Sequence, residues 1–188
     1  MNIGVKYGLY AVLAYILVEV GMYAAGIHAR ENIMVIRILL CSVFLFLAVA
    51  LSILINYNKN RHGGLSLLVD LKTGIGASAV FALTASLFFV VYFSKIDTEF
   101  LEVRRQVFTE YYESAEGQEY VIKYLEENPR VSKEQSVGDI VDQNIENLES
   151  MLQPGTMFPM ALFSLLLMGM VYSFGVTGLN RLVLAKLI

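Results

Sequence analysis

The sequence predicts an all-α integral membrane protein with four transmembrane helices and an extramembrane acidic amphipathic helical segment between the third and fourth. The composition is the first indication, because 56% of the 188 residues are hydrophobic and only 16% are charged. Soluble domains are typically about 45–50% apolar and about 25% charged. The second indication is a set of four long apolar stretches, and the third is a block of acidic residues that separates the last stretch from the others.

The first three apolar stretches are each long enough to cross a bilayer, which takes about 20 helical residues. We expect them to form transmembrane helices within a first region of residues 1–96, at residues 3–27, 33–57 and 66–95. The connections at 28–32 and 58–64 have the charged or glycine-containing composition of turns. A cleaved signal peptide is the alternative for the first stretch, but Glu19 interrupts its apolar run.

The fourth helix is expected within residues 154–188, together with a basic tail. No charged residue occurs between Ser150 and Arg181. The tail then carries Arg181 and Lys186. Basic residues commonly flank a transmembrane helix on its cytoplasmic side. The last region is therefore predicted to be one further span that ends in the cytoplasm.

Residues 97–153 differ from the rest of the chain and are predicted to form an extramembrane helical hairpin. Residues 97–149 contain 14 Asp/Glu and 5 Lys/Arg, a net charge of -9. Apolar residues recur among these charges at helical spacing. Pro129 interrupts the pattern, and Ser132–Gln135 resembles a capping box that opens the next helix. The acidity argues against nucleic acid as a partner, because phosphate groups would be repelled.

Two stripes of small residues predict that the third and fourth spans pack together. Small side chains allow membrane helices to approach closely. Each stripe continues by one further step of four residues into a charge, Asp70 on one helix and Arg181 on the other. We therefore expect Asp70 to pair with Arg181, the alternative being that Asp70 faces water while Arg181 reaches the lipid headgroups. The stripe residues are Gly74, Ser78, Ala82, Ser86, Gly169, Ser173 and Thr177.

Glu19 and Arg37 lie within the first two spans, near the same side of the membrane. An intramembrane acid can mark an ion or proton path. It can also form a structural pair, and we favour a Glu19–Arg37 contact, or a hydrogen bond from a tyrosine to Glu19, because a single acid makes a poor relay. The transport interpretation remains open as the alternative.

The remaining residues provide no recognisable catalytic or metal-binding pattern. His28 and His62 stand alone, Cys41 has no cysteine partner, and Gly63-Gly64 lacks the context of a phosphate-binding loop. The acidic residues recur at helical spacing and not in a calcium-binding loop. We therefore expect no enzymatic activity, no cofactor and no metal site.

The layout resembles a family of small bacterial inner-membrane proteins known as domain of unknown function 4199. The likeness rests on Leu65-Ser66 after a charged turn, on Val91-Tyr92-Phe93 at the end of the third span, and on the sequence Ile96-Asp97-Thr98-Glu99-Phe100-Leu101. Thr98 departs from the pattern, because a proline is expected there. The resemblance implies a bacterial inner-membrane location and no particular chemistry.

These observations favour a non-enzymatic accessory or scaffold protein in the lipid bilayer. Its segment at 97–153 would engage a protein partner or cap its own bundle. The alternative is a transporter or channel subunit that forms a homo-oligomer around Glu19. The positions of Lys6, Lys59, Arg61, Arg181 and Lys186 favour cytoplasmic termini and a periplasmic acidic segment.

Overall fold

The computed structural model describes residues 2–27, 33–59, 66–130 and 135–184. In chain order the helices are α1 Ile3–Ala24, α2 Ile33–Lys59, α3 Leu67–Val91, α4 Thr98–Glu113, α5 Ala115–Glu127, α6 Val137–Met151 and α7 Pro154–Leu184. A π-helical turn, Tyr92–Ile96, continues α3. The described residues contain no β-strand. The all-helical prediction is therefore confirmed for this part of the chain.

Four of the helices are long and apolar enough to cross a membrane, and they occupy Ile3–Ala24, Ile33–Lys59, Leu67–Ile96 and Pro154–Leu182. The helix ends differ from the predicted bounds by up to three residues. The first helix, α1, stops three residues earlier, α2 runs two residues further, and the third span begins and ends one residue later. Gly26, with φ of 70°, follows α1. This left-handed conformation is one that glycine adopts without a steric penalty, so it accounts for the earlier stop.

The chain divides into two compact units. The four-helix unit comprises residues up to Val90 together with those from Phe158 onward, and the three-helix unit comprises Val91–Met157. The core of the four-helix unit draws on all four long helices. Its buried members include Val12 and Tyr15 of α1, and the others are Cys41, Leu45, Ala48, Phe81, Ala82, Ala85 and Leu165.

The three-helix unit contains α4, α5 and α6, within the segment predicted to form a helical hairpin, and a break separates α4 from α5. The break falls at Ser114, whose extended backbone ends α4 and whose hydroxyl accepts a hydrogen bond from the Gly117 N–H at 3.2 Å. Ser114 thus caps α5, because a side-chain oxygen satisfies a donor that the helix itself leaves open. A small core of Val121, Leu125 and Ile140 joins α5 to α6.

The capping box that opens α6 lies one turn later than predicted. Ser132 and its two successors lie outside the described residues, and Gln135 precedes the helix. The box is formed by Ser136 and Asp139, since the Ser136 backbone N–H donates to Asp139 Oδ2 at 2.8 Å and the Asp139 N–H donates to Ser136 Oγ at 3.3 Å. Aspartate takes the place at the third helical position where glutamate or glutamine is usual.

We expect this box to make α6 sensitive to acid. Hydrogen bonds from the Ser136 backbone N–H and hydroxyl hold the pKa of Asp139 below its usual value. The carboxylate therefore stabilises the folded helix above the ordinary carboxyl pKa, and this contribution is lost as the pH falls through the lowered pKa. Circular dichroism between pH 7 and 2 should show a smaller acid-induced loss of helix in Asp139→Asn than in the wild type. Asp142→Asn removes a neighbouring exposed carboxylate as the control, and equal changes in both variants would contradict the assignment.

Several predicted features lie outside the described residues. These are the turn at 28–32, residues 60–64 of the turn predicted at 58–64, His28, His62, the Gly63-Gly64 pair, and the orientation markers Arg61 and Lys186.

Candidate functional site

Glu19 is buried in the four-helix unit and contacts two other polar side chains. Its carboxylate is 2% exposed. Tyr15, one helical turn earlier, donates its hydroxyl to Glu19 Oε1 at 2.9 Å. Arg37 of α2 places Nε 3.2 Å from Glu19 Oε2. The two contacts that the sequence suggested as alternatives are therefore both present, and together they join α1 to α2.

Aromatic rings surround the tyrosine of this cluster. The Tyr15 ring lies with its centroid between 6.0 and 6.4 Å from four phenylalanine rings, those of Phe44, Phe81, Phe88 and Phe89. Packing of this kind adds to the apolar contacts that aromatic rings already make. It also fixes the position from which the hydroxyl reaches Glu19, so the cluster is held by the core of α1, α2 and α3.

Asp70 and Arg181 form the second buried pair, at the other end of these helices. Arg181 Nη2 lies 2.7 Å from Asp70 Oδ2, and the aspartate side chain is fully buried while the arginine is 32% exposed. The guanidinium also lies over the ring of Tyr57, 5.7 Å from its centroid. The contact predicted between α3 and α7 is therefore present, and α2 adds an aromatic face to it.

The helix directions explain why Arg181 reaches Asp70. Gly74 lies against Ser173, and Gly169 lies against Ser78, so α3 and α7 run in opposite directions. In this register Thr177 is level with Asp70, and Arg181 is one turn beyond. Because side chains on an α-helix lean toward its N-terminus, the long arginine side chain leans back by one turn and meets the carboxylate.

A charge-swap experiment tests the Asp70–Arg181 pair. We expect Asp70→Arg and Arg181→Asp each to lower the melting temperature, because each leaves two like charges in contact and one of the positions is buried. The double variant should recover part of the loss by restoring opposite charges, as measured by thermal unfolding in lipid nanodiscs. A double variant as unstable as either single variant would count against the pair.

All seven residues of the predicted stripes are buried between helices. A Cβ atom added at Gly169 would collide with the Ser78 side chain, and one added at Gly74 would lie 2.8 Å from both Ile53 Cδ1 and Ser173 Oγ. These positions therefore require glycine at the present helix separation. The arrangement is the close packing by small residues that is common in membrane helix bundles.

Sequence reasoning missed a second glycine contact, which joins α1 to α3. A Cβ added at Gly4 would lie 2.5 Å from the Thr73 carbonyl oxygen, and one added at Gly8 would lie 2.6 Å from the Ala77 carbonyl oxygen. The backbones of these helices are thus in direct contact. The spacing of Gly4 and Gly8 is that of the GxxxG pattern, which was the available signal.

Several hydroxyl groups between the helices bond to their own helix. Ser173 Oγ donates to the Gly169 carbonyl at 2.7 Å, Ser78 Oγ to the Ile75 carbonyl at 3.0 Å, and Ser52 Oγ to the Val49 carbonyl at 2.8 Å. A hydroxyl satisfied in this way can be buried without water. These serines therefore behave as small packing residues.

Helix α4 of the three-helix unit presents an exposed apolar stripe. Val103, Val107, Phe108 and Tyr111 are each between 40% and 55% exposed, and no residue of α4 is buried. The four residues share one side of the helix because their spacing follows its period. Elsewhere on α4, the exposed Arg105 Nε lies 3.2 Å from Glu149 Oε1 of α6.

A separate cavity of about 450 Å³ lies among α4, α5, α6 and Gln135. Three tyrosine rings line it together with the two buried aliphatic side chains, and these residues are Tyr112, Tyr120, Tyr124, Val121 and Ile140. Four carboxamide side chains complete the lining, those of Gln135, Gln143, Asn144 and Asn147. Burial raises the pKa of Tyr112, with smaller contributions from Tyr120 and Tyr111, so its phenol stays protonated at neutral pH.

Within the described ranges, no three His, Cys, Asp or Glu side chains come together in a way that could hold a metal ion.

Comparison with known proteins places the chain in a family without assigning it an activity. No curated protein matches the sequence, and no solved structure matches it. The sequence profile of a family described as "Protein of unknown function (DUF4199)" matches residues 6–179, which is most of the chain and includes all four long helices in whole or in large part. The chain therefore belongs to the DUF4199 family, as its layout suggests.

Proposed function

We propose that this protein is a membrane accessory or scaffold protein whose three-helix unit binds a partner protein. The observation that carries the proposal is the exposed stripe of α4, in a region with 14 acidic residues and a net charge of -9. A contiguous apolar patch with a charged rim is characteristic of an interaction surface. The partner we infer presents an apolar patch with basic residues around it, because opposite charges favour the encounter.

We further propose that the four-helix unit lies in the bacterial inner membrane, with the termini in the cytoplasm and the three-helix unit in the periplasm. The four long apolar helices support insertion in a bilayer. Single cysteines introduced at Glu116 and at Lys59, in a Cys41→Ala background, test this topology. A membrane-impermeant maleimide applied to intact spheroplasts should label the first and not the second. The reverse pattern would contradict the proposed orientation.

The contacts of Glu19 support a structural role for this residue over a role in transport. Its carboxylate is engaged by a tyrosine hydroxyl and by a guanidinium, so the charge is compensated within the helix pair. A transporter or channel subunit that uses Glu19 would have to break these contacts in each cycle. The scaffold proposal requires no such movement.

Affinity capture from native membranes tests the partner proposal. The tagged full chain is solubilised in mild detergent, and the captured proteins are identified and quantified by mass spectrometry. We expect the double variant Val103→Ser/Val107→Ser to lose a partner that the wild type retains. This partner should carry a basic surface, and its recovery should fall as salt is raised, because exposed charges are screened.

Ile122→Ser provides the control, since Ile122 is an apolar side chain of similar exposure, 46%, on α5 and outside the stripe. It should retain the partner. Self-association alone, unchanged by the stripe variant, would contradict the proposal and favour the oligomeric transporter.

A further inference from the structure

The cavity lined by tyrosines and carboxamides has a different chemistry from its surroundings. None of its described lining residues carries a formal charge, although the region from 97 to 149 contains 19 charged residues, 14 acidic and 5 basic. It shares no residue with the exposed stripe of α4. A function of this cavity would therefore be additional to the proposed partner surface.

The lining favours a ligand without charge. A cation would find no carboxylate in the described lining with which to pair, and an anion would enter a site within a region of net negative charge. Charged ligands are usually held by charged side chains or by a metal, because removing an unpaired charge from water is costly. A neutral ligand avoids both penalties.

The carboxamides indicate the type of group that the ligand carries. Each amide side chain offers two N–H donors and one carbonyl acceptor. Gln135 and Gln143 are already joined by one hydrogen bond, in which Gln135 Nε2 donates to Gln143 Oε1 at 3.3 Å. Hydroxyl groups both donate and accept, so several hydroxyls on one small molecule would match four amides.

The tyrosines indicate the shape of the ligand. Tyr120 is 58% exposed and Tyr124 is 41% exposed, so their rings are accessible. A ring face accepts a flat apolar surface, and the phenol adds a polar group at its edge. A pyranose sugar has such a C–H face and a rim of hydroxyls. The volume of about 450 Å³ lies within the range of about 300–1,000 Å³ typical of sites for compact ligands.

We propose that this cavity binds a neutral saccharide, whose sugar ring stacks on tyrosine and whose hydroxyls bond to the carboxamides. A proline-rich peptide is the other class of ligand that uses aromatic surfaces, but it binds as an extended helix along a groove. The four carboxamides of the lining favour the sugar, because a saccharide offers several hydroxyls to them while a proline-rich peptide has few hydrogen-bonding groups.

Binding of cellotriose to the full chain tests the proposal. The protein is placed in phosphatidylcholine nanodiscs, because maltoside detergents carry a neutral sugar and would compete. Isothermal titration calorimetry and saturation-transfer NMR should show saturable binding. Tyr120→Ala should raise the Kd by roughly 2- to 10-fold, as expected for the loss of one stacking contact. Asn147→Leu, which keeps the size of an exposed side chain and removes its hydrogen bonds, should also raise the Kd.

The control is Ile122→Ala, because Ile122 is an exposed side chain of α5 that does not line the cavity. It should bind cellotriose as the wild type does. The proposal would be overturned by the absence of saturable binding, by an unchanged Kd in Tyr120→Ala, by equally tight binding of trigalacturonate, or by a decaproline peptide that displaces the sugar. The partner-capture experiment can fail or succeed independently, since it depends on Val103 and Val107.

Discussion

Glu19→Gln is expected to destabilise the protein by about 3–5 kcal/mol, the usual cost of breaking a buried ion pair by removing one partner. The substitution leaves the Arg37 guanidinium buried opposite a neutral amide. A guanidinium cannot escape this situation by losing its proton. Thermal unfolding in nanodiscs should therefore show a melting temperature lower by roughly 6–20 °C, which is the range that this free energy implies for a chain of this size.

Arg37→Met should cost less than Glu19→Gln, because a carboxyl group can take up a proton and become neutral. The double variant Glu19→Leu/Arg37→Met should approach the wild-type melting temperature, since well-packed apolar residues often replace a buried pair without loss. Glu149→Gln provides the control, as it breaks the exposed Arg105–Glu149 pair, in which the side chains are 58% and 43% exposed. This substitution should lower the free energy of unfolding by no more than about 1 kcal/mol. A stable Glu19→Gln protein would instead direct attention to transport.

Gly169→Val is the second substitution for which we expect a large loss of stability. Its Cβ would overlap the Ser78 side chain, so α3 and α7 would have to separate. Overpacking of this kind typically costs about 1–3 kcal/mol, and the melting temperature should fall by roughly 2–12 °C. The Asp70–Arg181 pair should weaken together with the helix contact, because it spans the same two helices.

Gly175→Val is the matched control on the same helix. A Cβ at Gly175 meets no heavy atom within 4 Å, so valine should be accommodated there without a collision. Both variants carry the same change in helix propensity. The difference between their melting temperatures therefore measures the effect of the steric collision at Gly169. Equal melting temperatures would show that α7 does not depend on close contact at Gly169.

Features that repeat along a single helix could be predicted from the sequence. Small residues every four positions identify one face of a helix, and the charges that continue the stripes, Asp70 and Arg181, indicate where two helices meet. The Glu19–Arg37 contact could be anticipated in the same way, because a buried acid and a buried base on neighbouring spans have few alternatives.

Contacts that depend on a partner surface were not predictable. Gly4 and Gly8 form a recognisable pair, but a pair of glycines does not specify which helix it will touch, and the structure assigns them to the backbone of α3. The cavity of the three-helix unit combines residues from Tyr112 to Asn147, and no short motif links them. The capping box was misplaced because Asp139 performs the role usually given to a longer acid or amide.

The position of α3 between α1 and α7 has a consequence for biosynthesis. Asp70 emerges from the ribosome 111 residues before Arg181, its partner. Until α7 is made, the nascent chain therefore holds an aspartate and the serines of the α3 stripe without the helix that covers them. A carboxylate in this state is costly in a bilayer. A chain truncated before α7 would thus keep Asp70 and the stripe serines of α3 uncovered. Membrane quality control could use these uncovered polar side chains to distinguish unfinished molecules from complete ones.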